Sequence, residues 1–382
     1  MAQAHACVDR LEHQPIPANV RNMRLLKLLA VVACLASVMV NPTAATAQET
    51  ATDEVTRRWI VGRAPHIDLW YHGIAVIGYE GFGVLPLYDP DYADRVAAAR
   101  AERGNPGSAL VANAAALRRA FSRDSIFEVF HFLPMYFASS SPEGMFEALR
   151  AVANSTGTPV VSDPSARFGA SATAYVLQDP DQRRVLGEFV DALEDEWNTF
   201  YSSYSRELVA EESERAGQFQ QRWDDVFQPA LRPFLTGSRL DGGIILVSPA
   251  LGAEGRIFQG DPGNPVDNVV AVGFLDGGTP DAELYAVVRE LCFPVVRRAI
   301  EVVGVSGDRV AAERSSSRAA VRCGALILEQ YLPSAADGYR RSFTGIRDGD
   351  AAIVTRAFTE AYPLAPALEQ ALEEAVTSLP PP

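Results

Sequence analysis

Beyond residue 47 the chain keeps three histidines, His66, His72 and His131, and metal-centred chemistry would have to start from them. "PHIDLWYHG" sets His66, Asp68, Tyr71 and His72 within seven residues, and His131 follows in "FEVFHFL". Imidazole, carboxylate and phenolate groups are donors for Zn²⁺ or Cu²⁺. The three histidines therefore stand as a candidate zinc site for a hydrolase. Their spacing carries no metal-ligand signature: six residues put His66 and His72 on one face of a strand, but on poorly aligned faces of a helix. Structural histidines in an aromatic core are the plainer reading.

The N-terminus bears on the cysteines. "MRLLKLLAVVACLASVMV" (23–40) is a short basic start followed by an apolar run, and Ala45-Thr46-Ala47 before Gln48 is a small-x-small cleavage site. The expectation is an exported, periplasmic or extracellular protein cut near Ala47, with a lipid anchor on Cys34 as the lesser alternative. The apolar run is short for a membrane span, so no integral span is expected in the mature chain. Residues 1–22 lack signal character, which leaves Met1 and Met23 both open as starts. Of four cysteines, Cys292 and Cys323 outlast the leader. An even pair in an exported chain reads as a disulfide, here one closing a loop that would contribute about 3–4 kcal/mol in the chain-entropy model.

Several chemistries are excluded. Lys27 is the only lysine, so the mature chain has no phosphate-loop lysine, Schiff-base lysine or Ser-x-x-Lys nucleophile. No G-x-S-x-G elbow and no glycine-rich dinucleotide fingerprint is present. The mature chain has 30 basic against 46 acidic residues, a net charge of −16 with no basic cluster, which argues against nucleic acid as a partner. "ALEDEW" and "RWDDVF" hold adjacent carboxylates, but neighbours on a helix do not face one another, and solvated faces are expected. "GDPGNPVDN" is rich in oxygen donors without EF-hand spacing, and a turn explains its composition.

The elements that must position these residues read as α+β, mostly helical with a small mixed sheet. Residues 65–79 are an early strand or a short helix. Helices are expected at 91–103 and 108–121, and 127–137 is a buried strand or a helix broken at Pro134. A capped helix follows Ser141. Residues 179–235 read as long helix broken or bent near 210–216, with Leu186, Phe189, Val190, Leu193, Trp197, Phe200 and Tyr204 on one stripe. The period then changes to β-rich pieces at 242–252, 255–260 and 267–275. Helices resume at 280–303, 308–332, 349–361 and 364–378. The regions expected are a leader (1–47), an N-terminal α/β region (48–178), long helices (179–239) and a strand-helix region with C-terminal helices (240–382).

Within the last region, "ELYAVVRELCFPVVRRAIE" (283–301) carries Arg289-Glu290-Leu291-Cys292-Phe293, the H-E-x-x-H pattern with its glutamate kept and both histidines replaced. It follows the β-rich pieces after one short turn and precedes a further long helix. Residues 240–332 therefore resemble a zincin-like metallopeptidase domain of the glutamate-ligand (gluzincin) type. In that family two histidines at i and i+4 hold Zn²⁺, the glutamate between them polarises the metal-bound water, and a later helix supplies a third ligand. The resemblance places Glu290 as a vestigial general base, Arg289 and Phe293 at the ligand positions, and Glu313 or Glu329 as the third ligand. A guanidinium repels a metal, and a phenyl ring has no donor. What it implies is a catalytically inactive homologue with no cofactor, a peptide- or protein-binding envelope module that takes an extended peptide or an envelope protein by strand addition. The alternative is an active hydrolase with zinc at His66, His72 and His131. Pro294 removes the hydrogen bond to the Glu290 carbonyl and should bend the helix.

Overall fold

A computed structural model describes residues 58–105, 107–260, 268–274, 281–304 and 308–382. The expected signal segment, its cleavage site and Cys34 lie outside these residues, as do Asp261, Asn264 and Asp267. The protein is mostly helical with an open four-stranded mixed sheet. Strands β1 (Trp59–Gly62), β2 (Gly243–Ser248), β3 (Arg256–Phe258) and β4 (Val269–Gly273) lie in the order β1-β2-β4-β3. β1, β2 and β4 are mutually parallel, with Ile60 opposite Ile244 and Ile245 opposite Val270. β3 runs antiparallel along β4 at the sheet edge, with Ile257 opposite Val270.

β2 ("GIILVS") and β4 ("VVAVG") are nearly continuous apolar runs because both faces of the sheet are covered. Alternate side chains divide between two cores. Leu246, Val269 and Ala271 join a core built from the N-terminal helices, whereas Ile245, Val247, Val270 and Val272 join one built from the C-terminal helices. The helices between residues 180 and 237 serve both cores: Leu186, Phe189 and Phe200 enter the first, Trp223, Phe227 and Leu231 the second.

The first core forms around α1 (Pro65–Ile77), which resolves the ambiguity at 65–79 in favour of a helix. Pro65 begins it, and Gly78, at φ 67°, ends it in the left-handed conformation that glycine adopts without strain. Every residue of α1 except Pro65 and Val76 is buried, which erases the amphipathic period that would have marked it as helix. Around it stand α2 (Tyr92–Glu102), α3 (Ala109–Arg123), α4 (Pro142–Asn154), α5 (Arg167–Val176) and α6 (Pro180–Glu196). Residues 125–137 form two short 3₁₀ helices, neither a strand nor a broken α-helix. Ser141 caps α4 by accepting from Gly144 N–H.

The long helical stretch is interrupted by two π turns, Trp197–Tyr201 and Trp223–Phe227, which separate α6, α7 (Ser202–Arg222) and α8 (Gln228–Gly237). The break or bend expected at 210–216 falls inside α7, which runs unbroken from Ser202 to Arg222. Each π turn instead re-aims bulky aromatics into a core, burying Phe200, Tyr201, Trp223 and Phe227.

The second core holds α9 (Ala282–Leu291), α10 (Phe293–Val303), α11 (Arg309–Tyr331), α12 (Pro333–Thr344), α13 (Ala351–Ala361) and α14 (Pro366–Thr377). β1, α5 and α12 escaped the sequence reading. α12 is rich in Ser, Asp and Gly, but Ala335, Ala336 and Tyr339 bury against the second core and hold it helical. Among the described residues no helix is long and apolar enough to cross a membrane.

Candidate functional site

All ten residues of α9 are buried between the sheet, α11 and α12. The helix stops at Leu291, and α10 restarts at Phe293 with Pro294 in its first turn, so the helix is interrupted beside Pro294, where the bend was expected. Val295 and Val296 N–H groups both donate to the Cys292 carbonyl at 3.0 Å, which sets the new helical axis.

Arg289 and Glu290 project into a closed set of charges. Arg289, at 0% exposure, donates from Nη2 to Ser317 Oγ on α11 at 2.9 Å and lies 3.4 Å from Glu254 Oε2. Its Nη1 pairs with Glu290 Oε1, and its guanidinium stands 5.5 Å from the centre of the Phe293 ring. Arg256 of β3 donates to Glu254 Oε1 at 2.7 Å and to the Gly255 carbonyl at 2.8 Å. Gly255 N–H donates to Glu290 Oε1 at 3.1 Å, and Ser317 Oγ–H to Glu254 Oε2 at 3.1 Å. The two carboxylates therefore share two guanidiniums, with all four side chains at or below 3% exposure.

The carboxylates respond differently to this setting. Burial works to raise Glu254, but Arg289 and Arg256 together outweigh it, and the group is held below the usual range. For Glu290 burial wins over the same two cations, and the group is raised. Glu290 Oε2 accordingly has no hydrogen-bond partner among the described residues.

A segment of the N-terminal region closes this cluster. In the segment 81–88 ("GFGVLPLY") the C-terminal end, from Pro86 on, pairs antiparallel with residues 250–254, which lead into β3. Gly252 N–H donates to the Leu87 carbonyl at 2.8 Å, Glu254 N–H to the Pro86 carbonyl at 3.0 Å, and Asp89 N–H to the Ala250 carbonyl at 3.0 Å. Val84 N–H reaches Ser317 Oγ at 3.2 Å, and Leu85 N–H reaches Glu254 Oε2 at 3.4 Å. Gly83 allows this approach, since a Cβ there would overlap the Glu254 carboxylate.

The donor set does not fit zinc on α9. The two ligand positions of the motif hold a guanidinium and a phenyl ring, and the nearby carboxylates are already engaged by Arg256 and Arg289. Glu313, half-buried on α11, acts on Arg256 only through its charge. Glu329 is exposed, pairs with Arg340, and lies about 18 Å along α11 from Ser317 at 1.5 Å per residue. The structure thus gathers Arg289, Glu290 and Phe293 on α9 and its continuation, with Glu313 at the margin and Glu329 far away.

The cysteine expectation needs correction. Cys292 and Cys323 are both buried and both free, and their closest approach of 2.8 Å exceeds a sulfur–sulfur bond of about 2.05 Å. The pair bring α9 and α11 together as small apolar side chains, and burial pushes the Cys292 thiol well up.

The histidines separate onto different partners. His66 Nε2 is 2.9 Å from the Phe137 carbonyl. His131 Nδ1 is 2.8 Å from Tyr88 Oη, and its ring stacks on Tyr79 at 5.1 Å. His72 Nδ1 is 3.0 Å from Tyr92 Oη and its Nε2 is 2.8 Å from Glu196 Oε1. Burial lowers all three. Among the described residues no three His, Cys, Asp or Glu side chains are grouped to hold a metal ion.

Glu196 is a second buried hub that the sequence concealed. It ends "ALEDE", where a solvated face was expected, yet its exposure is 0%. It accepts from His72, Arg100 and Ser108, which ties α1, α2 and the start of α3 to the end of α6. Burial alone would raise it, but His72, Ser108 and Arg100 overcome that and hold it at about 2. Neither Glu196 nor the Glu254–Arg256 pair carries a local signal, because both are completed by residues far away in the chain. An open cleft of about 420 Å³ lies elsewhere, between α4 and the first π turn, with Arg150 bridging to Glu194 across it.

The chain matches no protein-family model, no curated protein and no solved structure.

Proposed function

We propose that this is an exported, zincin-like protein that performs no zinc chemistry on its Arg289–Phe293 turn and instead binds an extended peptide or envelope protein. The observation that carries the reading is the Arg289 guanidinium, fully buried against Glu254, Glu290 and Ser317, where the resemblance calls for a metal ligand. A fixed cation in that position serves the fold and leaves Glu290 no water to activate.

The binding half of the proposal rests on β3. It is an edge strand that pairs with no strand but β4 among the described residues, and it stands directly before β4 and α9. Phe258 at its end meets the rings of Tyr136 at 5.0 Å and Phe168 at 5.9 Å, and Phe168 is 38% exposed. An unpaired edge offers main-chain hydrogen bonds to an extended chain, and aromatic neighbours accept its alternate side chains. A hydrolase built on the three histidines has less support, because each is engaged with a different partner.

Peptides selected from a displayed library on the exported protein test this reading. The expected outcome is that Phe258→Ala weakens the selected peptides about tenfold, roughly 1.4 kcal/mol, while Glu290→Gln leaves them bound. Selection of no peptide, or peptides indifferent to Phe258 and lost in Glu290→Gln, would contradict it.

A further inference from the structure

We infer that Gly81–Pro86 is a displaceable strap, an internal occupant of the place where Glu254 and Ser317 read the backbone of an extended peptide. The inference rests on the peptide-binding reading and extends its site from β3 back along residues 250–254. Three observations lead to it. The strap is bound through its main chain: Val84 and Leu85 present N–H groups to Ser317 and Glu254, and the Pro86 and Leu87 carbonyls accept from Glu254 and Gly252. The segment thus offers its backbone, main chain to main chain at Pro86 and main chain to side chain at Val84 and Leu85, and such contacts select for backbone shape more than for particular side chains.

The second observation is the contrast between the segment and its flanks. Leu87 and Tyr88 are buried at 1% and 2%, and Tyr88 Oη is fixed to His131, whereas residues 81–85 are only half-buried and Pro86 is exposed. On the other side Tyr79 is 6% exposed and donates to Glu128 at 2.7 Å, so the segment is a lightly held loop between two fixed flanks, and it opens as a loop. The third is its sequence. Gly81 and Gly83 lie against Arg256 and Glu254 with no room for a side chain, while Val84 and Leu85 pack against the C-terminal core. A competing ligand should share that character: an extended, apolar peptide with a small residue where Gly83 sits.

Gly83→Ala tests the strap, because its new methyl overlaps the Glu254 carboxylate while every group of the charge cluster is retained. The probe is a synthetic peptide of the sequence Gly81–Tyr88. Hydrogen exchange at Val84 and Leu85 should quicken by about tenfold or more in the variant. Affinity for the probe should rise by about the same factor, since the internal competitor is removed. Ser317→Ala, which removes the acceptor of Val84 and adds no atoms, should quicken the same two amides and weaken the probe.

Unchanged exchange in Gly83→Ala would overturn the inference by showing the strap to be fixed. Faster exchange with no gain in probe affinity would overturn it by showing that the strap covers no peptide site. Either result can coexist with library peptides that still depend on Phe258, so failure of the strap is distinguishable from failure of peptide binding at β3.

Discussion

The protein buries two ionic networks, one around Glu196 and one around Arg289, and they solve the same physical problem differently. At Glu196 a single carboxylate serves His72, Arg100 and Ser108, and helices seal it on every side. At Arg289 two carboxylates and two guanidiniums divide the charge, and one wall is a half-buried, glycine-containing segment. The first is a hub with no substitute for its centre. The second has redundancy, since Glu254 keeps Arg256 when Arg289 is lost and Glu290 is already biased towards its neutral form. A buried ion pair is costly to break on one side and inexpensive to replace whole, and the two networks stand at opposite ends of that range.

The largest effect should come from Glu196→Ala, which strands Arg100 and His72 in the interior. Urea unfolding should show a loss of about 3–5 kcal/mol. A loss below that of any Arg289 variant would reverse the comparison.

Acidification separates the networks by sign. Glu196 sits at about 2 when folded against an ordinary 4.5, so its contribution is present above pH 4.5 and is lost as pH falls towards 2, on the order of 3 kcal/mol. The three buried histidines act in the same direction from higher pH: their folded values lie below the ordinary 6.5, and stability declines as pH drops beneath it. Glu290 is raised, so it contributes in the opposite sense, favouring the fold at low pH and losing that contribution as pH rises above 4.5. Stability measured against pH should therefore flatten below pH 4.5 in Glu196→Gln and steepen above pH 4.5 in Glu290→Gln.

Arg289→Met should cost less than Glu196→Ala, roughly 2–3 kcal/mol, because Arg256 and protonation of Glu290 absorb part of the loss. The double change Arg289→Met with Glu290→Gln should recover part of that, and denaturant midpoints of the three proteins would show it. The smallest effect is expected at Cys292 and Cys323. Under non-reducing conditions both should alkylate with iodoacetamide only after unfolding, as read by peptide mass, and resistance after unfolding would contradict their description as free thiols.

The sequence made the helices and β-rich pieces legible wherever local signals agreed, as at Ser141, which caps α4, and at Pro294, which separates α9 from α10. It failed where the deciding partner lay elsewhere in the chain. α12 went unread because Tyr339 and two alanines find the second core only in the fold, and the π turns at Trp197 and Trp223 bury their aromatics in cores completed by distant elements, Phe200 and Tyr201 in the first and Trp223 and Phe227 in the second. The disulfide was inferred from parity and export, which specify neither the separation nor the orientation of two sulfurs. Within the candidate site, Arg289, Glu290 and Phe293 could be named in advance because they are consecutive or one turn apart. Glu254, Ser317 and the strap could not, since Val84 and Ser317 are 233 residues apart.

The Arg289–Phe293 turn contributes to a closed, buried ion-pair network and offers no donor set for zinc. The most direct measurement is bound zinc, by elemental analysis after equilibrium dialysis, together with peptide hydrolysis before and after a chelator, in the parent and in Glu290→Gln. Zinc content and hydrolysis that are the same in both proteins are the predicted result. One zinc per chain supporting a chelator-sensitive peptidase activity, with that activity lost in Glu290→Gln, would contradict it.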